Sequence, residues 1–212
     1  MNISPAKENI LKRIRQALTH STPLPFPQSE GNNPVFQPAH QEPEIEFAER
    51  FTQLQGKFIF CINHTELISQ LNHLVNQMGW ENIYCKEKEL QVILKENLFT
   101  GFTEEGLAQC DAAITSCELL IARTGSIVMS AAQQSGRTAS VYAPVHICIA
   151  YTRQLVYDIR DGLQKLKDKY TEQLPSLITF ATGPSRTADI EKTLVVGVHG
   201  PKEVYVFLVD EV

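Results

Sequence analysis

The alternation of strand and helix patterns is the feature that most restricts how this chain folds. From Phe47 onward, short apolar runs suited to buried strands are separated by stretches with the spacing of amphipathic helices. The pattern predicts a helix around residues 46–55, a strand over Lys57–Cys61, a helix over Thr65–Met78, a strand near Asn82–Tyr84 and a helix over Glu87–Asn97. Because repeated βα units place successive strands side by side in one direction, they predict an α/β fold with a mostly parallel sheet.

Past Asp111 the pattern changes to closely spaced strands. The runs AAIT and LLIAR are followed by Thr124-Gly125 and then by SIVMS, which is typical of strands paired across a tight glycine-containing turn. The remaining predicted elements are a helix over Val156–Tyr170, a strand over Leu177–Ala181 and a strand over Val204–Val209. The sequence therefore predicts a parallel α/β sheet that carries an antiparallel insertion.

The first 45 residues differ in composition from the rest of the chain. Ser4 and Pro5 form a typical helix start, after which the apolar residues fall on one helical face. Between His20 and Glu46 the chain contains six of its eleven prolines and no Lys or Arg, which predicts an extended tether. We therefore divide the chain into an N-terminal helix with a proline-rich tether, residues 1–45, and an α/β domain, residues 46–212. The helix either docks on its own chain or presents its apolar stripe to a partner subunit.

Charge and composition exclude several classes of function. The 212 residues are 43% hydrophobic and carry a net charge of −5, without a Lys/Arg cluster along one face. Nucleic acid is therefore not an expected partner. No apolar run approaches the roughly 18 residues of a membrane span, and the N-terminus lacks the apolar core of a signal peptide. We expect a cytoplasmic protein without a membrane span.

The five cysteines are spread along the chain without a C-x-x-C pair, which is typical of buried reduced thiols. Their spacing predicts neither an iron–sulfur cluster nor a cysteine-based zinc site in this chain. His146, His199 and Asp189 likewise lack the local spacing of metal ligands. The signatures G-x-G-x-x-G, G-x-x-x-x-G-K-S/T, H-E-x-x-H and G-x-S-x-G do not occur. We therefore expect this chain to bind no metal and no cofactor by itself.

The segment from Thr182 to Pro201 is the strongest candidate for binding an anion. It follows the predicted strand Leu177–Ala181, begins with the breaker Gly183-Pro184, and leads into a short helix predicted to start near Ala188. In open α/β sheets, ligands bind where the carboxyl ends of strands meet the N-termini of helices. The position of this segment therefore favours a binding role.

Four polar side chains of this segment are suited to helix capping or to anion binding. Ser185 or Thr187 is placed to cap the predicted helix, and Asp189 in its first turn complements the positive helix end. The free amides beside Arg186 suit a carboxylate or a phosphate. Simple helix capping explains the same residues, and it stays open as the alternative.

Other candidate residues lie upstream of this segment. The turn Arg123–Ser126 offers backbone amides and hydroxyls to an anion, or is only a hairpin turn. Arg137 is a further anion-binding candidate, with a surface salt bridge as the alternative. His146 and His199 lie next to Pro or Gly near predicted strands, and each is either a proton carrier or a structural histidine.

Several of these runs closely resemble LUD-domain proteins, specifically the lactate-utilisation protein C type. The resemblance rests on IARTGSIVMS, GRTAS, APVHI and above all TGPSRTADIEKTLVVGVHGP, and it covers about Phe47 to Val212. It implies a NagB/RpiA/CoA-transferase-like three-layer fold. It also implies an accessory subunit, for substrate binding or for assembly, that works with two iron–sulfur subunits in the bacterial oxidation of L-lactate to pyruvate, so that a small carboxylate is an expected ligand.

The resemblance also assigns positions. Thr124, Gly125 and Ser126 match the TG[ST] turn of the family, His146 its P-x-H-I segment, and Thr182 to Glu191 with His199 and Gly200 its carboxy-terminal signature. The position before Thr124 is often acidic in the family but is Arg123 here, which makes covalent CoA-transfer chemistry at that position less expected.

These observations give one expectation for the site. His146 and His199 are the predicted proton carriers. The predicted substrate-binding residues are Arg123, Thr124, Gly125, Ser126, Arg137, Thr182, Gly183, Ser185, Arg186, Thr187 and Asp189. A stand-alone enzyme acting on a phosphorylated sugar or a CoA thioester is the alternative function.

Overall fold

The computed structural model describes residues 5–18, 38–39, 41–190 and 193–210. The chain divides into two units, residues 1–37 and residues 38–212. The described part of the first unit is one helix, α1 (Pro5–Leu18). Most of the tether predicted between His20 and Glu46 lies outside the described residues. Its last residues are not extended but begin the first helix of the second unit, because Pro43 is well suited to the first turn of a helix.

The second unit contains the alternating elements that the sequence predicts. They are, in chain order, α2 (Pro43–Gln53), β1 (Lys57–Cys61), α3 (His64–Met78), β2 (Ile83–Cys85) and α4 (Lys88–Glu96). Local signals set the bounds of α3. The Asn63 side chain accepts a hydrogen bond from the backbone N–H of Glu66 (2.9 Å), and Gly79 ends the helix in the left-handed conformation, with φ of 65°.

The rest of the unit is richer in strands. Its elements are β3 (Ala112–Thr115), β4 (Leu119–Ile121), β5 (Ser126–Ser130), α5 (Ala139–Tyr142), β6 (Val145–Tyr151), β7 (Leu155–Val156), α6 (Ile159–Lys169), β8 (Ile178–Ala181), β9 (Arg186–Ile190), β10 (Thr193–Val196) and β11 (Glu203–Val209). Short 3₁₀ turns span Leu107–Gln109 and Thr152–Gln154. No described helix is long and apolar enough to cross a membrane.

Five parallel strands form the central sheet, in the order β1-β11-β6-β3-β2. The last strand, β11, lies between β1 and β6, with Tyr205 next to Lys57 on one side and next to Ile147 on the other. All five strands therefore end at the same edge of the sheet. The α/β fold with a mostly parallel sheet is confirmed.

The predicted antiparallel insertion is a second sheet of four strands, in the order β7-β4-β5-β8. Strands β4 and β5 pair antiparallel with Ile121 opposite Ser126, so the turn between them contains Gly125 as predicted. Strand β5 also pairs antiparallel with β8, and it is therefore bonded on both sides.

The prediction of a short helix starting near Ala188 is wrong, because the chain forms a β-hairpin there. Strands β9 and β10 pair antiparallel, with Thr187 opposite Val195. The backbone N–H of Ser185 donates to the carbonyl of Pro201 (3.0 Å), and its carbonyl accepts from the N–H of Gly197 (3.0 Å). These contacts hold the chain extended where the local residues alone suggest a helix cap.

The core is divided among the layers of the second unit. Leu67, Ile114, Ile147 and Phe207 belong to the cluster between the central sheet and helices α3 and α4. A second cluster joins the central sheet to the four-stranded sheet and includes Phe47 and Phe51 of α2. A third packs α6 against the outer face of the four-stranded sheet.

Two glycines with similar positive φ angles provide a test of this packing. Gly125 has φ of 58°, and a Cβ added there would lie 2.6 Å from the backbone nitrogen of Phe51. Gly79 has φ of 65° and nothing within 4 Å of an added Cβ. Gly79→Ala should therefore cost only the conformational strain, about 1–2 kcal/mol. Gly125→Ala adds a backbone clash and should cost about 3 kcal/mol or more. Urea unfolding of both variants measures the difference, and equal losses would contradict the proposed contact with α2.

Candidate functional site

A cavity of about 600 Å³ lies at the carboxyl edge of the central sheet. Most of the side chains that line it lie at or just after the ends of secondary-structure elements. Those that follow parallel strands are His64 after β1, Glu87 after β2, Ser116, Cys117 and Glu118 after β3, and Arg153 and Gln154 after β6. The wall is completed by residues 132–134 after β5, by Lys169 and Tyr170 at the end of α6, by Tyr151 at the end of β6, and by Glu89, Leu90 and Ile93 of α4. Ligands of open α/β sheets bind at this edge.

Glu118 is the most strongly bonded carboxylate of the cavity. Its side chain is 1% exposed and accepts hydrogen bonds from Ser130 Oγ (2.6 Å), Lys169 Nζ (2.7 Å) and Tyr170 Oη (2.7 Å). Burial alone raises the pKa of Glu118, but these hydrogen bonds outweigh it and lower the pKa below its ordinary value. Burial likewise opposes the charge on Lys169, yet the bond to Glu118 raises the pKa of Lys169. The pair is therefore ionised at neutral pH.

Glu87 forms a second polar group with residues of the neighbouring strand end. Its Oε2 accepts hydrogen bonds from the backbone N–H of Ser116 (3.2 Å) and from the Ser116 hydroxyl. Gln133 Nε2 donates to the same hydroxyl oxygen (3.0 Å). The other oxygen, Oε1, is buried and has no hydrogen-bond partner among the described residues.

The third polar group lies where β1 and β6 end. His64 Nε2 is 3.2 Å from Tyr151 Oη, and the two rings meet edge to face. The Arg153 guanidinium lies 5.0 Å from the centre of the Tyr151 ring. Gln154 Nε2 donates to the backbone carbonyl of Cys117 (2.5 Å), which joins this group to the end of β3.

The cavity therefore combines both signs of charge. Arg153 and Lys169 are cationic, while Glu87, Glu89 and Glu118 are anionic. Such an arrangement is suited to a ligand that carries an anionic group and a hydrogen-bond donor. No group of three or more His, Cys, Asp or Glu side chains within the described ranges is placed to bind a metal. All five cysteines are buried with free thiols, as the sequence predicts.

The structure brings together three hydroxyls of the predicted binding residues. Ser126 Oγ is 2.7 Å from Thr124 Oγ1 and 2.8 Å from Thr182 Oγ1. Gly125 and Gly183 both approach the end of α2, since an added Cβ at Gly183 would lie 2.6 Å from the carbonyl oxygen of Leu54. We call Thr124, Ser126 and Thr182 the hydroxyl cluster. It lies at the opposite end of β5 from the cavity, roughly 15 Å away for a five-residue strand.

Each of the three arginines predicted to bind substrate forms an ion pair or a hydrogen bond with another residue of the chain. Arg123 Nε lies 2.5 Å from Asp158 Oδ2 in a mostly buried ion pair. Arg186 donates to the backbone carbonyl of Leu54, and Arg137 donates to Ser176 Oγ (2.5 Å). None of them lines the cavity at the carboxyl edge.

The two predicted proton carriers lie toward the amino edge of the central sheet. His146 is 1% exposed, its Nε2 is 2.8 Å from Thr115 Oγ1, and burial lowers its pKa to about 4. That environment keeps the imidazole neutral. His199 is exposed and lines a second cavity of about 440 Å³ with Tyr142, Pro144 and Lys202. The two cavities lie at opposite ends of β6, roughly 20 Å apart for a seven-residue strand. A proton-carrying role for either histidine stays a prediction.

The remaining predicted residues belong to the β9–β10 hairpin and its entry. The half-buried Ser185 packs beneath Gly200, where an added Cβ would lie 2.9 Å from Ser185 Cβ. Thr187 occupies a ladder position opposite Val195. The backbone of Asp189 is part of β9, and its side chain lies outside the described residues.

Sequence reasoning missed the cavity although β1, β2 and β3, three of the strands that end at it, were predicted. The available signal was the polar residue that follows each parallel strand, such as Glu87 after Cys85 and Ser116 after Thr115. Because the carboxyl ends of parallel strands share one edge, these residues are expected to meet. The prediction instead placed the site at the motifs rich in glycine and hydroxyl groups, around Gly125 and Gly183.

Fold and site together define an α/β protein with a polar ligand cavity at the carboxyl edge of a parallel sheet. The sequence profile of the LUD domain matches residues 83–209, which is more than half of the chain. The chain therefore belongs to the LUD-domain family. The matched region contains most of the cavity wall and the whole hydroxyl cluster.

Individual relatives agree with this membership. A lactate utilization protein C from Deinococcus radiodurans is 36% identical over 104 residues, which cover 49% of this chain and 48% of that protein. The protein of the same name from Halalkalibacterium halodurans is 38% identical over 99 residues, covering 46% and 43%. An uncharacterized protein from Neisseria meningitidis is 27% identical over 124 residues, covering 58% and 52%. The chain thus spans about half the length of the curated relatives it matches.

A solved structure supports the fold. The crystal structure of a DUF162 family protein from Deinococcus radiodurans superimposes with a TM-score of 0.58 at 20% identity, covering 82% of this chain and 99% of that one. At this identity the likeness concerns the fold alone.

The substitution Glu118→Gln tests whether the hydrogen-bonded carboxylate of Glu118 stabilises the folded protein. The variant should lose about 1–3 kcal/mol at pH 7, because a charge-assisted cluster becomes neutral. Since folding lowers the pKa of Glu118 from its ordinary 4.5, its contribution is present above pH 4.5 and is lost as the pH falls through the folded value. The difference between wild type and variant should therefore shrink below pH 4.5.

Urea unfolding at a series of pH values measures this effect. The control is Glu172→Gln, an exposed glutamate shortly after Tyr170, which should change stability by less than about 0.5 kcal/mol. A wild-type advantage over Glu118→Gln that is constant down to pH 3 would contradict the assignment.

Proposed function

We propose that this protein is a substrate-binding accessory subunit of a bacterial system that oxidises L-lactate to pyruvate. Membership of the LUD family and the name lactate utilization protein C carried by several relatives support a role in lactate utilisation. The cavity at the carboxyl edge of the sheet is the observation on which the binding role depends.

The charges of the cavity suit a 2-hydroxy acid. Its carboxylate requires a cation, and the Arg153 guanidinium above Tyr151 lies in the cavity wall. Its hydroxyl requires an acceptor, which the glutamates of the cavity supply. The turn residues are not part of the proposed binding site, because Arg123 and Arg186 do not line the cavity.

The redox part of the proposed reaction belongs to partner proteins. Oxidation of lactate to pyruvate removes two electrons and two protons, which require an acceptor. The cysteines of this chain are scattered, and their spacing is not that of a cluster-binding motif. We therefore propose iron–sulfur subunits as the electron-carrying partners, with no cofactor bound by this chain alone and with the assembled system in the cytoplasm.

A matched pair of arginine variants tests the binding site. Arg153→Gln should weaken L-lactate binding by about tenfold or more, because a charge-assisted contact to the carboxylate is lost. Arg123→Gln makes the same chemical change in the predicted turn and should keep the affinity. It should instead lower stability by about 1–3 kcal/mol through loss of the Asp158 pair. Isothermal titration calorimetry and thermal unfolding measure the two effects.

The opposite result for the two variants would indicate that L-lactate binds at the Arg123–Ser126 turn. Affinity that falls in Arg123→Gln and is retained in Arg153→Gln would contradict binding in the cavity.

A deletion strain tests the physiological role. Removing the gene should abolish growth with L-lactate as the carbon source, and the wild-type gene should restore it. Purification of the tagged protein from lactate-grown cells should recover chains that carry iron–sulfur clusters. Normal growth of the deletion strain on L-lactate would contradict the proposal.

One observation favours a second candidate function. A cavity of about 600 Å³ has the size typical of sites for larger molecules, and a three-carbon acid fills only part of it. A stand-alone enzyme acting on a phosphorylated sugar or a CoA thioester is that candidate. Turnover of such a compound by the purified chain without partners would favour it over the accessory role.

A further inference from the structure

Glu87 occupies a helix start but does not cap the helix. It immediately precedes α4, and its side chain makes no hydrogen bond to the first turn of that helix. The carboxylate instead reaches the end of β3, where Oε2 accepts from the backbone N–H and the hydroxyl of Ser116. The Ser116 oxygen is itself held by Gln133 Nε2 at 3.0 Å. Glu87 is therefore fixed in one orientation by a neighbouring strand.

The second oxygen of this carboxylate is left unsatisfied. Glu87 is 7% exposed, Oε1 is buried, and no partner for Oε1 is found among the described residues. A buried carboxylate oxygen without a donor costs free energy, and an arriving donor removes that cost. Because Glu87 is part of the wall of the 600 Å³ cavity, a ligand bound there supplies such a donor once a small side-chain shift opens Oε1 to the cavity.

We infer that Glu87 is the residue with which this cavity distinguishes a 2-hydroxy acid from the corresponding 2-oxo acid, an inference that rests on the proposed function. The hydroxyl of a 2-hydroxy acid donates a hydrogen bond to Oε1. The oxo group of a 2-oxo acid has no proton to donate, and its oxygen would face a second acceptor. A site built to bind a hydroxyl rejects the analogue that lacks it, because the buried group is then left unpaired.

The backbone of Ser116 makes the inference testable with one substitution. A backbone N–H only donates, so in Glu87→Gln it will retain the amide oxygen at the position of Oε2. The amide nitrogen then lies at the position of Oε1 and presents a donor to the cavity. That donor pairs with the oxo oxygen of pyruvate, so the variant should lose the preference for the hydroxy acid or reverse it.

The experiment compares L-lactate and pyruvate by isothermal titration calorimetry on the full chain. The wild type should bind L-lactate at least about tenfold more tightly than pyruvate. In Glu87→Gln the ratio of the two affinities should fall to about one or below. Glu96→Gln, which removes the same charge from the exposed end of α4, is the control and should keep the wild-type ratio. Thermal unfolding of each variant verifies that it is folded.

A second pair of ligands tests the inference without any variant. The wild type should prefer 2-hydroxybutyrate to 2-oxobutyrate in the same direction, since the two compounds differ at the same oxygen. A wild type that binds L-lactate and pyruvate equally, or a folded Glu87→Gln that keeps the wild-type ratio, would overturn the role of Glu87 and leave the proposed function intact. A wild type that binds neither acid would overturn both.

Discussion

The insertion of the last strand between β1 and the other strands of the sheet is the constraint on which the rest of the structure depends. Strand β11 pairs with β1 on one side and with β6 on the other, and among the described strands of this sheet β11 is the one neighbour of β1. The first βα unit of the domain, β1 with α3, therefore joins the sheet through the last strand. Because this pairing is parallel throughout, it also places His64, at the end of the first strand, at the same edge as Glu87, Ser116 and Gln154.

The local elements were predictable from sequence because their signals are local. Lys57–Cys61 is an apolar run of strand length, and α3 begins at an Asn cap and ends at Gly79. The β9–β10 hairpin was mistaken for a helix start because Gly, Pro, Ser and Thr are common to both structures. Backbone hydrogen bonds from Ser185 to residues 197 and 201 decide between them, and no local pattern of residues 182–190 contains that information.

The candidate site was predictable only in part, because several of its contacts depend on how distant elements pack and not on local sequence. Thr124 and Ser126 are neighbours in one turn, but Thr182 meets Ser126 from a distant part of the sequence, because β5 pairs with β8. The partners of Glu118 were not predictable, since Lys169 and Tyr170 reach it only after α6 has packed on the four-stranded sheet. In the sequence, Glu87 is the first residue of a predicted helix, where an acidic side chain is expected to complement the helix dipole. Its contact with Ser116 depends on the adjacency of β2 and β3.

Strand β5 connects the hydroxyl cluster with the cavity at the carboxyl edge of the central sheet. Its first residue, Ser126, is the centre of the hydroxyl cluster, and its last, Ser130, donates to Glu118 in the cavity. Since β5 is bonded to β4 on one side and to β8 on the other, the hydroxyl cluster and the Glu118 carboxylate are held by the same strand. The placement of the Ser130 hydroxyl beside Glu118 therefore depends on the pairing of the strand that begins at Ser126.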